Sequence, residues 1–251
     1  MFKKIIEFST HEDYFKCNED FPVPVKLNIP EWFKKLNTSE INQTIKSCIP
    51  FLDSLTTGYS LKMPQDFYIN HNVDSFNDKG EKIKDSFCQF PMHQVQNLLF
   101  AKSLNFNTFK DVHPISQLEG SPFIEKNKNL PFYKILNPWF IKTPPGYSCL
   151  FVPPLNNSDD RFSIISAIVD TDTFPREINF PIVINGDKYP SLETTIKKGT
   201  PYVQIIPFKR DNWKMSIKPK KQNELTHRKI FYELEIFQRY KNKHWSKKSW
   251  K

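Results

Sequence analysis

Apolar and polar positions follow a strand-like rhythm through the second half of the chain. Tyr147–Val152 is a six-residue apolar run, opened by the turn signature Thr143-Pro-Pro-Gly146 and ended by Pro153-Pro154. Phe162–Val169 is a second strand candidate and ends in the Asp170-Thr-Asp-Thr173 run. Ile178–Ile184 and Leu192–Ile196 follow, then Gly199-Thr-Pro201 and a last strand over Tyr202–Phe208. Strands about ten residues apart, with Pro and Gly turns and no helical pattern between them, predict an antiparallel sandwich or barrel.

The first half is less regular. Pro30-Glu-Trp-Phe-Lys-Lys-Leu36 reads as a short helix with Pro30 at its first turn and Trp32, Phe33 and Leu36 on one side. From Phe51 to Ile69 the alternation around Gly58 predicts one or two strands joined by turns, and residues 72–86 predict a hairpin connection or an exposed loop. His93, Val95, Leu98, Leu99 and Phe100 share a short helical stretch, after which the chain is irregular to Pro131. At the other end, Leu225, Phe231, Leu234, Phe237 and Tyr240 fall near helical spacing, as in an amphipathic helix docked on the body. The predicted organisation is therefore an N-terminal extension over residues 1–50, a mostly β body over 51–217 with an insertion near 72–138, and a basic C-terminal helix and tail over 218–251.

Composition sharpens this picture in three ways. Twenty prolines against six glycines favour short strands and loops over long helices. Heavy use of Lys, Asn, Ile and Phe, with two alanines, tracks AT-rich codons and points to the genome of a virus or a streamlined bacterium. No run approaches the ~18 apolar residues of a membrane span, and Met1–Thr10 lacks the apolar core of a secretory signal, so the expectation is a soluble cytoplasmic protein with no membrane partner, in the host cytoplasm if its origin is viral. Cys17, Cys48, Cys88 and Cys149 contain no close pair, and reduced, mostly buried thiols are expected.

The formal net charge of +9 is concentrated at one end. Lys209–Lys251 holds 14 basic and 4 acidic residues, whereas the first 208 residues are nearly neutral. Lys220, Lys221, Arg228, Lys241, Lys243, Lys247 and Lys248, interleaved with His227, Trp245 and Trp250, are candidate contacts to a nucleic-acid backbone. A solvated helix face is the alternative reading of the same residues.

Asp170 and Asp172, with Asp159 and Asp160 upstream, have the hard oxygens of a Mg²⁺ or Ca²⁺ site, and strand alternation would point Asp170 and Asp172 to one face. The alternative is an Asp-rich turn whose carboxylates cap backbone N–H groups. His93 and His113 near Cys88 fit no recognised metal spacing. Phosphate-binding, dinucleotide, nucleophile-elbow and zincin motifs are all missing from the sequence, which disfavours those enzyme classes.

Four segments, taken in order, resemble the trimeric dUTPase and dCTP deaminase superfamily. Phe51-Leu-Asp-Ser-Leu-Thr-Thr-Gly-Tyr-Ser-Leu61 is similar to its first motif, and Pro144-Pro-Gly146 with the following strand to the lead-in of its second. Ile168-Val-Asp-Thr-Asp-Thr-Phe-Pro-Arg-Glu-Ile178 resembles the third, and Lys197-Lys-Gly-Thr-Pro-Tyr-Val-Gln-Ile205 the fourth. With Trp32-Phe-Lys-Lys-Leu36 and Pro207-Phe-Lys-Arg210, the same arrangement also resembles a family of uncharacterised tailed-phage proteins. The resemblance implies a β-clip, a distorted antiparallel jelly roll, and a trimer in which Trp139 or Trp213 faces a partner subunit. It also implies Asp170 as the water-orienting catalytic group, with Tyr59, Phe174, Arg176 and Gln204 around a nucleotide and Mg²⁺ as the cofactor.

The departures from that pattern are chemical. Val152-Pro-Pro-Leu155 stands where the superfamily has an Arg-Ser phosphate clamp, the third motif carries one extra residue before Arg176, and no Gly-rich motif follows Phe208. Two readings follow: an assembly or nucleic-acid-associated protein that keeps the fold without an intact dUTPase site, or a deoxynucleotide-binding or pyrophosphatase relative with a clamp supplied by Arg161 or Arg176.

Overall fold

The computed structural model describes residues 4–17, 19–76, 78–89, 110–113, 115–128, 130, 132–220 and 238–251. The chain divides into two compact units, one formed by Met1–Val23 and Gly58–Lys209, the other by Pro24–Thr57 and Arg210–Lys251.

The larger unit is mostly β, with its strands in several antiparallel sheets. In chain order the strands are β1 (Glu7–Ser9), β2 (Val23–Pro24), β3 (Tyr59–Lys62), β4 (Phe67–Phe76), β5 (Lys82–Gln89), β6 (Lys110–His113) and β7 (Phe132–Ile135). They continue with β8 (Phe140–Lys142), β9 (Tyr147–Val152), β10 (Phe162–Ile164), β11 (Ala167–Val169), β12 (Phe180–Ile184), β13 (Ser191–Ile196) and β14 (Pro201–Lys209). One sheet runs in the order β11-β9-β14-β3-β2, a second β10-β12-β7-β6 and a third β13-β4-β5, while β1 pairs with β8.

Strand β14 is the axis of the first sheet. Its Ile205 faces Tyr59 of β3 on one side and Phe151 of β9 on the other. Alternation then sorts the side chains: Val203, Ile205, Cys149, Phe151 and Leu61 enter a core shared with Phe67, Ile69, Ile135, Ile182, Ile184 and Ile196 of the other sheets. Each large apolar side chain buried there contributes roughly 1.5–3 kcal/mol. Entry to β3 depends on one glycine. Gly58 has φ +78°, and a Cβ at this position would lie 2.0 Å from the Ile205 carbonyl oxygen, so no other residue fits.

Several sequence expectations correspond closely to the structure, among them β9, β12, β13 and β14, whereas the connection or loop expected over residues 72–86 is largely strand, because β4 and β5 pair as far as Phe76 and Lys82. Others are corrected. Phe51–Ser54 belongs to a helix, Ile49–Ser54, because Pro50 occupies its first turn and presets helical φ. Phe162–Val169 is two strands in two sheets: β10 pairs with β12 and β11 with β9. The N-terminal extension contributes a strand of its own, since Phe8 pairs with Ile141 of β8. Trp139 is buried rather than turned to a partner, with ring centroids 5.8 Å from both Tyr14 and Phe21. Burial pushes the Tyr14 phenol well above its ordinary pKa, and the nearby Asp20 charge adds to this.

The smaller unit holds the predicted helix as Glu31–Lys35. Its C-terminal carbonyl groups are met by a cation: Lys46 Nζ donates to Lys34 O at 2.8 Å and to Leu36 O at 2.7 Å. Phe33 stacks on Phe51 at 5.7 Å, and Trp32 packs edge-on against both rings. Cys48 is exposed here, in contrast to buried Cys149 and to the expectation of mostly buried thiols. The segment from Arg210 to Lys220 has no regular secondary structure, and a single π-helical turn spans Tyr240–His244. Most of the amphipathic helix expected before Tyr240 lies outside the described residues, as does the helical stretch around His93. No described helix is long and apolar enough to cross a membrane.

Candidate functional site

Strand β11 ends at Val169, and the next residues form a turn rather than a continued strand: the N–H groups of Thr173 and Phe174 both donate to Asp170 O, at 3.1 and 2.9 Å. The two carboxylates of Asp170-Thr-Asp172 therefore do not share a strand face. This turn is stitched to the Pro144-Pro-Gly146 turn that opens β9. Ser148 Oγ donates to Asp170 Oδ1 at 2.6 Å, and the Gly146 N–H donates to Asp172 Oδ2 at 2.8 Å. Between them lies a buried polar seam in which the Thr143 and Thr171 hydroxyls pair at 2.8 Å and Thr171 Oγ1 donates to Cys149 Sγ at 3.3 Å. Burial pushes the Cys149 thiol up to about 11, so it stays protonated at neutral pH. The two turns singled out in the sequence thus meet in space.

The candidate nucleotide residues do not all meet. Phe174 shares the Asp170 turn and is 44% exposed, and Arg176 is exposed two residues further on. Gln204 sits elsewhere on the same sheet: it is paired with Val152, whereas Asp170 is bonded to Ser148, four residues back along β9. At roughly 3.3 Å per residue that places Gln204 about 13 Å from Asp170 along the strand. Tyr59 is paired with Ile205, next to Gln204, so pleating sends the Tyr59 and Gln204 side chains to opposite faces. Tyr59 is half-buried, with its ring 5.6 Å from Phe8, and burial raises its pKa. Gln204 is buried, and its Oε1 accepts the Leu155 N–H at 2.9 Å.

Arg161 is, with Arg176, one of the two candidate replacements for the phosphate clamp. It grips Asp159 in a two-point ion pair, Nε to Oδ1 at 2.8 Å and an Nη to Oδ2 at 2.7 Å, and its other Nη donates to Thr194 Oγ1 at 2.5 Å. Hydrogen bonding from Arg161 holds the Asp159 carboxyl below its ordinary pKa. Asp160 is similarly held down by Lys188, at 2.8 Å, and by the Tyr189 hydroxyl at 2.8 Å. These carboxylates are engaged by cations of the same chain, and no group of three or more metal-ligating side chains occurs among the described residues. A pocket of about 150 Å³ lies between Pro153-Pro154 and Asp159-Asp160. Ligand pockets are commonly about 300–1,000 Å³, and neither Asp170 nor Gln204 lines this one.

Of the basic candidates, Lys221 and Arg228 lie outside the described residues. Lys220, Lys241, Lys243 and Lys247 are exposed. Lys248 pairs with Asp53 Oδ2 at 2.5 Å, and Trp245 Nε1 donates to the same carboxylate at 3.0 Å. His93 falls outside the described residues, and so do the side chains of Cys88 and His113.

Sequence reasoning missed Ser148, the Thr143–Thr171 pair and the role of Thr194. Only Ser148 had a legible signal, as a polar residue inside an apolar strand beside a turn. Comparison with protein-family models gives no match, and comparison with curated proteins gives none either.

Proposed function

We propose that this chain is a non-enzymatic assembly or nucleic-acid-associated protein, with its basic C-terminal segment as the nucleic-acid contact in the second case, whose body is a dUTPase-like β-clip of viral or phage origin without a working phosphate site. The observation that carries this reading is the closure of Gln204 onto Leu155. The position that would offer a polar contact to a nucleotide is instead bonded to the loop standing where the superfamily has its Arg-Ser clamp. Arg161, the nearest replacement cation in sequence, is held by Asp159 and Thr194. A triphosphate in that region would meet apolar Pro153, Pro154 and Leu155 where its charge has to be offset.

The test is the melting temperature of the full chain against a panel of deoxynucleoside triphosphates, with and without Mg²⁺. A ligand that binds only the folded state raises stability, so no shift is expected. A shift of several degrees for one nucleotide, lost in Asp170→Asn, would overturn the proposal in favour of a nucleotide-binding relative.

A further inference from the structure

Residues 210–220 follow β14 in the chain without regular secondary structure, and every one of them is exposed. The stretch Arg210-Asp-Asn-Trp-Lys-Met-Ser-Ile-Lys-Pro-Lys220 carries four basic residues against one acidic. Lys214, Lys218 and Lys220 have no ion pair among the described residues. Interleaved with these cations stand Trp213, Met215 and Ile217, at 91%, 82% and 86% exposure. A basic stretch that serves only solubility has no use for an indole held in water, because exposing so much apolar surface is unfavourable. The residue types therefore call for a ligand with two properties at once: negative charge for the lysines and a flat apolar face for Trp213.

Unpaired nucleotides have both. Their phosphates take up lysines with release of counterions, and their open bases stack on aromatic rings whatever the sequence. A duplex satisfies only the lysines, since its bases are already stacked on one another and the phosphates are what it presents. A lipid surface is a poorer match. Helices that lie in it gather apolar side chains on one face and cations on the other, whereas this stretch is not helical and contains Pro219.

We propose that residues 210–220 bind single-stranded nucleic acid. Trp213 stacks on an unpaired base, Met215 and Ile217 border the neighbouring bases, and Lys214, Lys218 and Lys220 meet the phosphates. This rests on the nucleic-acid alternative of the function proposed above and names its ligand and its contact. Trp213 lies outside the set of lysines and arginine that charge alone singles out.

The experiment is fluorescence anisotropy with the full chain, using labelled oligo(dT), oligo(U) and an oligo(dT)·oligo(dA) duplex of the same length. The wild type is expected to bind a single strand more tightly than the duplex, and the first two probes tell DNA from RNA. Trp213→Ala is expected to weaken single-strand binding roughly tenfold or more, the worth of one stacked base, to leave duplex affinity unchanged, and to be rescued by Trp213→Phe. K214Q/K218Q/K220Q is expected to reduce the slope of log affinity against log salt by about 2, at ~0.7 per phosphate contact. These positions are exposed, so circular dichroism and Tm are expected to stay as in the wild type. Independently of any variant, ultraviolet cross-linking to a bromouracil-substituted strand is expected to place the adduct on Trp213. Equal affinity for strand and duplex, or wild-type binding by Trp213→Ala, overturns the proposal. If strand binding depends instead on K241Q/K243Q/K247Q, this contact falls and the nucleic-acid reading stands. If the wild type binds no oligonucleotide, both fall and the assembly alternative is left, as they do where Trp213 is needed only for self-association or for anionic vesicles.

Discussion

Gln204 Oε1, at the centre of the largest sheet, accepts the backbone N–H of Leu155 at 2.9 Å from the loop that leaves β9. The glutamine is 1% exposed, so this bond fixes the loop against a buried polar group rather than against water. Gln204→Leu removes the acceptor, keeps much of the volume and leaves the Leu155 N–H unmatched. It is expected to lower stability by about 0.5–1.5 kcal/mol, the net worth of a part-buried hydrogen bond, as read by urea denaturation. An unchanged midpoint would mean that the loop is held by other contacts.

Gly58 offers a sharper contrast with another glycine of the same unit. Both Gly58 and Gly80 have positive φ, at +78° and +75°. A Cβ at Gly80 meets nothing within 4 Å, whereas one at Gly58 drives into Ile205 O. Gly80→Ala is expected to cost about 1–2 kcal/mol from the left-handed backbone alone. Gly58→Ala adds a clash that β3 must move to relieve, for a total of about 3 kcal/mol or more. Equal denaturation midpoints for the two variants would contradict the tight approach of β3 to β14.

Strands β9 and β14 are legible because apolar runs bounded by Pro and Gly report local chain geometry. The split of Phe162–Val169 is not legible. Ile164 and Val169 belong to the same apolar run, and only their partners, Ile182 and Cys149, assign them to different sheets. The strands β6 and β7 were missed for the same reason: each is four residues long and is fixed by pairing, Val112 with Tyr133, rather than by pattern. At the candidate site, the Asp170 turn and the Pro144-Pro-Gly146 turn were both visible, and their bonding through Ser148 and Gly146 was not. The offset of Asp170 from Gln204, about 13 Å along the strand, is a property of sheet register, which motif order along the chain does not encode.

In the smaller unit, Asp53 receives both Trp245 Nε1 and Lys248 Nζ, and Lys248 lies 5.9 Å from the Trp245 ring centroid. One carboxylate thus anchors the end of the C-terminal segment to the helix Ile49–Ser54. Asp53→Ala is expected to release it: limited proteolysis should cut near Lys247 and Lys248 several-fold faster, and the tryptophan emission should shift to the red. Unchanged cleavage would assign the anchoring to other contacts of Trp245.

His71 makes stability depend on pH in a defined direction. It lies on β4 between Leu192 of β13 and Ser86 of β5, has no measurable exposure, and neither ring nitrogen has a hydrogen-bond partner among the described residues. Gly186 covers it closely, since a Cβ there would come within 3.1 Å of Nε2. Burial disfavours the imidazolium, so the folded-state pKa lies below the ordinary value of 6.5. The unfolded chain then takes up the proton first as pH falls. The stability linked to neutral His71 is complete above about pH 6.5 and is lost as pH drops through the folded pKa, at up to about 1.4 kcal/mol per pH unit in that window. Asp159 contributes separately. Its carboxyl is held below 3.8, so its stabilisation fades only as pH falls through that lower value. Urea denaturation of the wild type between pH 7.5 and 5 should therefore show a declining midpoint, and His71→Leu should flatten the curve while leaving the protein no less stable at pH 5. A decline of equal slope in both proteins would remove His71 as its source.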